Sequence, residues 1–331
     1  MQYRRLGKSG LEVSVLSFGA WQIGDPEYWG ADASADADAA VGAALDAGIN
    51  LFDTAEAYGD GEAERVLGKV LGPRRKDVLI ATKFSASNAA PAALRAACEG
   101  SLRRLGTDYI DVYQVHWPVR DVPLAGVHGE LARLRQEGKI REVGLSNHGP
   151  EDIAAWMKTG VAVSNQLCYN ILFRAIEHTV APACRAKGLG ILVYMPLLQG
   201  LLSGRWDWIA DIPLMRRRTR HFSSMRAETR HNEPGVETET IALVRQLKRG
   251  SESLGVPMAR ICLAWVLAQP GVTSAIIGAR NPEQLKQNVL AADLRIAPGV
   301  MAKLNEMSYP LKRMLGPNAD AWQSGQDSRI R

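Results

Sequence analysis

INLFDTAEAYG, residues 49–59, joins a short apolar run to a polar loop, so that the run ends on Asp53 and the loop carries Tyr58. Apolar runs of this length are typical of buried β-strands. Two later apolar runs also end on an ionisable residue. VLIATK, residues 78–83, ends on Lys83, and YIDVYQVH, residues 109–116, ends on His116. In a protein built from βα repeats, the strand ends converge on one face, where active sites form. An acid, a phenol, a cation and an imidazole on that face indicate proton-transfer chemistry.

The alternation of strand and helix patterns extends along most of the chain. Strand patterns lie near residues 15–19, 49–53, 78–82, 109–115, 140–144, 162–166, 190–194 and 273–277. Helical patterns lie near residues 34–47, 62–71, 91–105, 124–137, 150–157, 177–187, 238–254 and 282–290. Helix boundaries are marked by N-cap and C-cap signals, namely Gly149-Pro150, Asn281-Pro282, Gly48, Gly138 and Gly188. Eight strands that alternate with eight helices predict an α/β protein, a (β/α)8 TIM barrel.

The rival fold is a doubly wound open sheet, which usually carries a Gly-rich fingerprint after its first strand. The corresponding stretch SFGAWQIG, residues 17–24, has no G-x-G-x-x-G match, so the barrel is favoured. No linker divides the chain, and residues 1–331 are predicted to form one domain. Four additions to the repeats are predicted: an N-terminal β-hairpin at residues 3–5 and 11–13, a long loop after strand seven at 196–235, an extra helix before strand eight at 256–268, and a polar C-terminal tail at about 307–331. The tail is expected either to cover part of the barrel or to be loosely ordered.

Composition is that of a globular protein. Of 331 residues, 46% are hydrophobic and 23% are charged, and the formal net charge is +5. The N-terminus has no apolar signal segment and no apolar run is long enough to span a bilayer, so we expect a cytoplasmic protein without membrane association. The four cysteines are scattered without metal-ligand or redox spacing and are expected to be reduced and buried, and they are Cys98, Cys168, Cys184 and Cys262.

The four residues at the strand ends suit one reaction. A tyrosine hydroxyl titrates near ~10, which is too high for ready proton donation and recovery at neutral pH, and a nearby ammonium group lowers that pKa. We therefore predict Tyr58 as general acid, Lys83 as the group that lowers its pKa, and Asp53 as the anchor of Lys83. His116 is expected to hydrogen-bond a carbonyl oxygen. No side chain in the set supplies hydride, so carbonyl reduction requires a nicotinamide cofactor.

Taken singly, each of these residues has an ordinary structural explanation, such as a rim salt bridge, packing or a buried structural histidine. Their joint occurrence on one predicted face favours catalysis. A metal-dependent hydrolase would need several ligands at strand ends, but of the six histidines only His116 and His148 lie near one, and no metal is predicted. The arginine-rich stretch 205–230 lacks a recognised nucleic-acid-binding module, and no nucleic-acid partner is expected.

Four motifs are shared with a known family, and they are DTAEAYG at 53–59, RRLGTDYID at 103–111, GLSN at 144–147 and YMPL at 194–197. On these motifs, and over roughly residues 3–306, the chain resembles the aldo-keto reductase family. The resemblance implies a (β/α)8 barrel and NAD(P)(H)-dependent interconversion of carbonyls and alcohols. It also implies a catalytic tetrad, which maps onto Asp53, Tyr58, Lys83 and His116.

The resemblance further implies a cofactor site. Ser146, Asn147 and Gln166 match the residues that bind the nicotinamide carboxamide, and Tyr194 matches the aromatic that stacks on the nicotinamide ring. Arg280 favours NADP(H), with NAD(H) as the alternative. Other segments match the family's pyrophosphate and adenosine sites. The complete set of cofactor-binding residues that the resemblance implies is Ala20, Trp21, Asp53, Ser146, Asn147, Gln166, Tyr194, Met195, Pro196, Leu197, Gln199, Gly200, Leu202, Ser203, Gly204, Arg205, Gly278, Ala279, Arg280, Gln284, Gln287 and Asn288. Gln287 departs from the family pattern, since many members carry an acid there.

Aromatic side chains near the predicted site are candidates for the walls of a substrate pocket. Trp21, Trp29 and Trp117 are predicted to contact a small-molecule carbonyl or alcohol substrate together with Tyr58 and His116. The predicted reaction is NADPH-dependent reduction of aldehydes and ketones. The nearest alternative is an NAD(P)-dependent sugar, polyol or cyclitol dehydrogenase, which uses the same residues in reverse.

A more distant alternative is a channel-associated, redox-sensing regulatory subunit, as some members of the family are. The sequence places no long segment before the barrel, of the kind that closes channels, so this alternative is less favoured. The sequence determines neither the substrate, nor the physiological direction, nor the oligomeric state.

Overall fold

The structure is a computed structural model that describes residues 1–29, 37–279 and 281–331. Its strands are β1 (Tyr3–Arg5), β2 (Glu12–Ser14), β3 (Leu16–Gly19), β4 (Leu51–Asp53), β5 (Leu79–Phe84), β6 (Ile110–Val115), β7 (Ile140–Ser146), β8 (Ser164–Cys168), β9 (Gly190–Tyr194) and β10 (Val272–Ile277). Its α-helices are α1 (Trp21–Gly24), α2 (Pro26–Trp29), α3 (Ala37–Asp46), α4 (Glu62–Leu71), α5 (Pro91–Leu105), α6 (Leu124–Gln136), α7 (Pro150–Trp156), α8 (Val180–Lys187), α9 (Glu237–Leu254), α10 (Met258–Leu267), α11 (Pro282–Val289) and α12 (Pro298–Leu315).

Strands β3 to β10 form a closed barrel in which all neighbours are parallel. Each strand pairs with the next along the chain, and β10 closes the barrel by pairing with both β9 and β3. The helices between the strands lie outside, because parallel strands need crossover connections that cover the sheet. The (β/α)8 barrel predicted from the sequence is therefore confirmed, and the strand ends that carry Asp53, Lys83 and His116 meet at one mouth.

The hairpin β1–β2 closes the opposite end of the barrel. Leu6, Leu11 and Val13 pack against apolar side chains of the barrel interior in one buried cluster. Gly7 approaches the barrel closely, since a Cβ on it would lie 2.0 Å from the Val163 carbonyl oxygen. The predicted hairpin is confirmed, although its second strand is Glu12–Ser14 and not residues 11–13.

Most predicted boundaries agree with the structure to within a few residues. The three predicted C-cap glycines all adopt left-handed φ angles, and Asn281 caps α11 through its side chain. Strand β8 continues to Cys168, two residues beyond the predicted end. The helix predicted at 177–187 begins at Val180, because the preceding residues Ala175–Glu177 form a 3-10 turn. In the helix predicted at 34–47, residues 34–36 lie outside the described part of the chain.

The C-terminal prediction was wrong for residues 307–315, which belong to helix α12. The sequence shows Pro310 as a helix breaker, yet the helix continues through it. A buried stripe at helical spacing holds α12 on the core, and it consists of Leu304, Ser308, Leu311 and Leu315. Residues 316–331 then cross to the barrel mouth. Arg331 reaches the first turn of α7, where its carbonyl oxygen accepts hydrogen bonds from the Glu151 and Asp152 main-chain N–H groups.

Within the three described ranges, no helix is both long enough and apolar enough to cross a membrane. All four cysteines lie in these ranges, and their thiols are buried and unpaired, as predicted. No cluster of three or more potential metal ligands occurs among the described residues.

Candidate active site

A buried ion pair organises the mouth of the barrel. Lys83 Nζ lies 2.6 Å from Asp53 Oδ1 and also donates to the Thr54 carbonyl oxygen at 2.8 Å and to the Tyr58 hydroxyl at 3.3 Å. Lys83 is fully buried and Asp53 is 3% exposed. An ammonium group has three N–H donors, so these three partners use all of them and fix the direction of the lysine. Strand ends β4 and β5 thereby place the phenol beside a cation.

Two glutamine side chains complete the surroundings of Asp53. Its Oδ2 accepts hydrogen bonds from Gln166 Nε2 at 2.7 Å and from Gln114 Nε2 at 3.2 Å. Gln114 was not among the residues predicted from the sequence. Its position in the sequence could have identified it. Gln114 is a polar residue in a buried strand, and it lies two positions before His116, so that both side chains point to the same side of β6. The two amides provide hydrogen-bond donors for the second carboxylate oxygen, while the first faces Lys83.

The net effect on Tyr58 is opposite to the one predicted. Burial raises the pKa of the phenol, and the nearby Lys83 charge and hydrogen bond lower it by less, so that the Tyr58 pKa is raised above its ordinary value. The Asp53 charge also raises it. Lys83 thus limits the rise without reversing it. For Lys83 itself, burial lowers the pKa, but Asp53 and Tyr58 together raise it, so the lysine is charged at neutral pH.

His116 is the first residue beyond β6, and its ring lies nearly perpendicular to that of Tyr58, with centroids 5.7 Å apart. Burial, followed by the charges of Lys83 and Arg329, lowers its pKa to about 3. The imidazole is therefore neutral at physiological pH. A neutral imidazole carries a proton on one ring nitrogen and can donate one hydrogen bond. Together, His116 and the Tyr58 hydroxyl can therefore offer two hydrogen-bond donors to one oxygen atom of a ligand.

A cavity of about 750 Å³ opens above these four residues. This volume lies within the range of roughly 300–1,000 Å³ that is usual for small-molecule sites. Asp53, Tyr58 and His116 line it, whereas Lys83 lies beneath its floor. The predicted aromatic walls are also present, since Trp21, Trp29 and Trp117 all line the cavity. Trp21 stacks on Tyr58 with centroids 5.6 Å apart and so covers one side of the phenol.

Strands β7, β8 and β9 bring together the three residues predicted to bind the nicotinamide carboxamide and the tyrosine predicted to stack on its ring. Ser146, Asn147, Gln166 and Tyr194 line the cavity, although Gln166 lies inside β8 and not at its end. The Tyr194 hydroxyl donates to Asn147 Oδ1 at 2.8 Å. Asn147 has a φ of 60°, in the left-handed region that asparagine tolerates better than most residues. Such backbone strain is common where a fold presents polar groups to a ligand.

The segment after β9 bends sharply around the cavity. Consecutive left-handed φ angles occur at Leu198, Gln199 and Gly200, which turn the chain back towards the opening. Most of the predicted residues of this segment line the cavity, and they are Met195, Pro196, Leu197, Gln199, Gly200, Ser203 and Arg205.

Helix α11 and the residues that precede it also contribute to the cavity wall. Gly278, Gln284, Gln287 and Asn288, which are predicted to bind the cofactor, line the cavity. Arg280 lies outside the described residues, so its predicted contact stays a prediction. Four other predicted residues do not line the cavity: Ala20, Leu202 and Ala279 are buried in the core, and Gly204 ends a 3-10 helix.

The long basic loop has two roles in the structure. Several of its arginines line the cavity, and they are Arg205, Arg216, Arg218 and Arg230. Arg220 instead pairs with Glu233 and donates to the carbonyl oxygens of Leu315 and Asn318, which holds the C-terminal segment in place. Trp206 lines the cavity and is nearly buried, whereas Trp208 is 63% exposed and packs against Arg245.

Several residues of the cavity wall were not predicted from the sequence, among them Tyr28, Trp322 and Arg329. Tyr28 bridges the two loops above the cavity, because its hydroxyl accepts from Gln199 Nε2 and donates to the Met215 carbonyl oxygen, each at 2.7 Å. Trp322 and Arg329 arrive from the C-terminal segment. The Trp322 ring lies nearly parallel to Tyr194, at an interplanar angle of 9°. No local sequence pattern marks these two residues, since only the path of the tail brings them to the barrel mouth.

Comparisons with known proteins agree with this geometry. The model of the Aldo/keto reductase family matches residues 15–308. The NADH-specific methylglyoxal reductase of Escherichia coli is 30% identical, over 93% of this chain and 98% of its own length. A putative voltage-gated potassium channel subunit beta of Schizosaccharomyces pombe is 32% identical over 92% of each chain. The crystal structure of an aldo-keto reductase from Klebsiella pneumoniae in complex with NADPH superposes with a TM-score of 0.74, at 31% identity, and covers 93% of this chain and 95% of that one.

Proposed function

This chain belongs to the aldo/keto reductase family, and from that premise we propose that it is an NADPH-dependent reductase of aldehydes and ketones. One observation carries the proposal: the Tyr58 hydroxyl, bonded to the buried ammonium of Lys83, lines the same cavity as His116 and the polar ends of β7 and β9. A proton donor and a second hydrogen-bond donor at one point suit the oxygen of a carbonyl group.

The residues present fit a nicotinamide dinucleotide. The cavity wall retains buried polar atoms without partners among the described residues, including Gln22 Oε1 and Trp29 Nε1, and such atoms suit a polar ligand. Ser146, Asn147 and Gln166 would hold the carboxamide, and the segment after β9 with Arg205 would hold the phosphates. The Klebsiella pneumoniae structure is a complex with NADPH, and the Escherichia coli relative is named NADH-specific. When bound, the cofactor supplies hydride to the carbonyl carbon.

The protein's own residues carry the proton chemistry. Tyr58 donates its proton to the carbonyl oxygen as negative charge develops there, and His116, as a neutral imidazole, donates a hydrogen bond to the same oxygen. Lys83 stabilises the phenolate that remains, and Asp53 holds Lys83 in position. The Trp21 ring, stacked on Tyr58, keeps water away from one side of the phenol.

The raised pKa of Tyr58 supports reduction over the dehydrogenase alternative. Reduction needs a protonated phenol, which is the form present at neutral pH. Alcohol oxidation needs the phenolate as a base, and the raised pKa of Tyr58 makes that form scarcer at neutral pH than it is for an ordinary tyrosine. We therefore propose reduction as the faster direction at neutral pH, with oxidation favoured at alkaline pH.

Cofactor titration tests this function most directly. NADPH and NADH should each quench the tryptophan fluorescence of the protein, because Trp21 and Trp206 line the cavity. We expect NADPH to bind more tightly and Arg280→Ala to weaken NADPH binding by about 10- to 100-fold, the loss typical of hydrogen bonds to a charged group, with little change for NADH. Arg249→Ala, an exposed site on α9, is the matched control. Binding of neither nucleotide would exclude the reductase function.

The pH profile of the reduction is a second test. His116 has a pKa of about 3 and is neutral at higher pH, and burial raises the pKa of Tyr58, so that the phenol keeps its proton throughout the neutral range. The kcat/KM for an uncharged aldehyde should therefore be flat from about pH 5 to about pH 9 and fall at higher pH. A decline on the acidic side near pH ~6.5 would instead mean that protonation of a histidine with an ordinary pKa controls the rate.

A further inference from the structure

The C-terminal segment carries an arginine to the wall of the cavity, beside the catalytic residues. Arg329 lines the cavity, and its guanidinium lies over the ring of Trp117, with Cζ 3.5 Å from the ring centroid. Trp117 directly follows His116 in the chain. The charge of Arg329 is close enough to contribute to the lowered pKa of His116. The arginine is thus a neighbour of the point at which a carbonyl oxygen would bind.

Arg329 is held in a defined orientation. Its Nε and Nη2 donate to the two oxygens of Asp320, at 2.8 and 2.9 Å, and Asp320 is fully buried. Asp320 also accepts hydrogen bonds from the main-chain N–H groups of Trp322 and Arg329. A carboxylate on one edge and an indole on one face leave a guanidinium little freedom to rotate. The backbone is anchored too, since the Arg329 carbonyl oxygen accepts from Arg120 at 2.9 Å.

This arrangement leaves a binding edge unused. A guanidinium has five N–H donors, and two of them serve Asp320. The remaining donors, on Nη1 and the outer side of Nη2, have no partner in residues 1–29, 37–279 or 281–331. These N–H groups lie side by side at the end of the guanidinium, and their spacing matches the two oxygens of a carboxylate. The Arg329 side chain is 38% exposed, so a ligand in the cavity has access to it.

We infer that Arg329 binds the carboxylate of an acidic aldehyde or ketone while Tyr58 and His116 bind its carbonyl oxygen. This inference rests on the proposed function and names the substrate class of the same site. Trp117 and Trp322, with ring centroids 6.2 Å apart, provide apolar walls for the carbon skeleton between the two polar groups. Because Asp320 already offsets one positive charge, the site suits the single charge of a carboxylate better than a doubly charged phosphate ester.

Two substrates of matched size test the inference, para-carboxybenzaldehyde and its uncharged analogue para-formylbenzamide. We expect the native enzyme, saturated with NADPH, to have the higher kcat/KM for the carboxylate. The double variant Arg329→Gln/Asp320→Asn removes both charges without leaving Asp320 buried and unpaired. It should lower the carboxylate-to-amide ratio by about 10- to 100-fold while reduction of the amide continues. Arg331→Gln, an exposed arginine on the same tail, should leave the ratio unchanged.

An unchanged ratio in the double variant, or native preference for the amide, would overturn the inference. A para-formylphenyl phosphate reduced more efficiently than the carboxylate would overturn the choice of anion. Binding is measured in parallel as quenching of tryptophan fluorescence by benzoate and by benzamide. If neither aldehyde is reduced, the proposed function fails, and the inference is judged by whether benzoate binds more weakly to the double variant than to the native protein.

Discussion

Tyr58→Phe is expected to lower kcat for aldehyde reduction by about 10²- to 10⁴-fold, the usual contribution of a general acid. The variant keeps the ring that stacks on Trp21 and removes only the hydroxyl, which lies 3.3 Å from Lys83 Nζ. Without that proton donor, the oxygen of the carbonyl group must take its proton from water. Because the lost interaction belongs to the transition state, kcat and kcat/KM should fall by similar factors.

Steady-state oxidation of NADPH with an uncharged aldehyde measures this effect, and fluorescence titration checks that the variant still binds NADPH. Tyr309→Phe is the matched control, since Tyr309 is 53% exposed on α12 and does not line the cavity. If Tyr58→Phe kept most of its kcat while binding cofactor normally, another group would be the proton donor. His116→Asn would then be the next variant to measure.

Lys83→Met is expected to lower both activity and stability. Lys83 and Asp53 form a buried pair, and removal of one partner from such a pair typically costs about 3–5 kcal/mol because the other charge is left uncompensated. Loss of Lys83 also removes the two interactions that lower the pKa of Tyr58, so that pKa should rise further above its ordinary value. The alkaline fall in kcat/KM should accordingly move to higher pH.

Urea unfolding measures the loss of stability, and the pH profile measures the shift of Tyr58. The double variant Asp53→Asn/Lys83→Met separates the two effects, because it removes the stranded carboxylate but does not restore the cation. We expect it to recover much of the free energy of unfolding and little of the kcat. Equal stability of the native protein and Lys83→Met would show that Asp53 is not held as a buried charge in the native state.

Local patterns predicted the barrel and much of the site. Apolar runs of strand length, separated by helices with glycine and proline signals, were sufficient for the (β/α)8 barrel, and the structure confirms the three predicted C-cap glycines. The residues at the ends of these runs converge because parallel strands all point the same way. Asp53, Tyr58, Lys83 and His116 were therefore predictable as a group from their position in the repeat alone.

The sign of the Tyr58 pKa shift was not predictable in this way. The sequence identifies the cation next to the phenol, which lowers the pKa. It does not show how much water the surrounding elements exclude, which raises it. The structure shows burial as the larger effect. Desolvation depends on side chains from several strands and loops at once, and no single stretch of the chain reports it.

By itself, the sequence determined the repeat architecture and the chemical groups at the strand ends, because both follow from periodicity and position within a βα unit. Only the tertiary structure decided what the C-terminal segment does. Arg331 donates its main-chain N–H to Asp152, 179 residues earlier, and Arg329 thereby reaches Trp117. Contacts between segments so far apart depend on the shape of the assembled barrel and leave no periodic signal in the residues that make them.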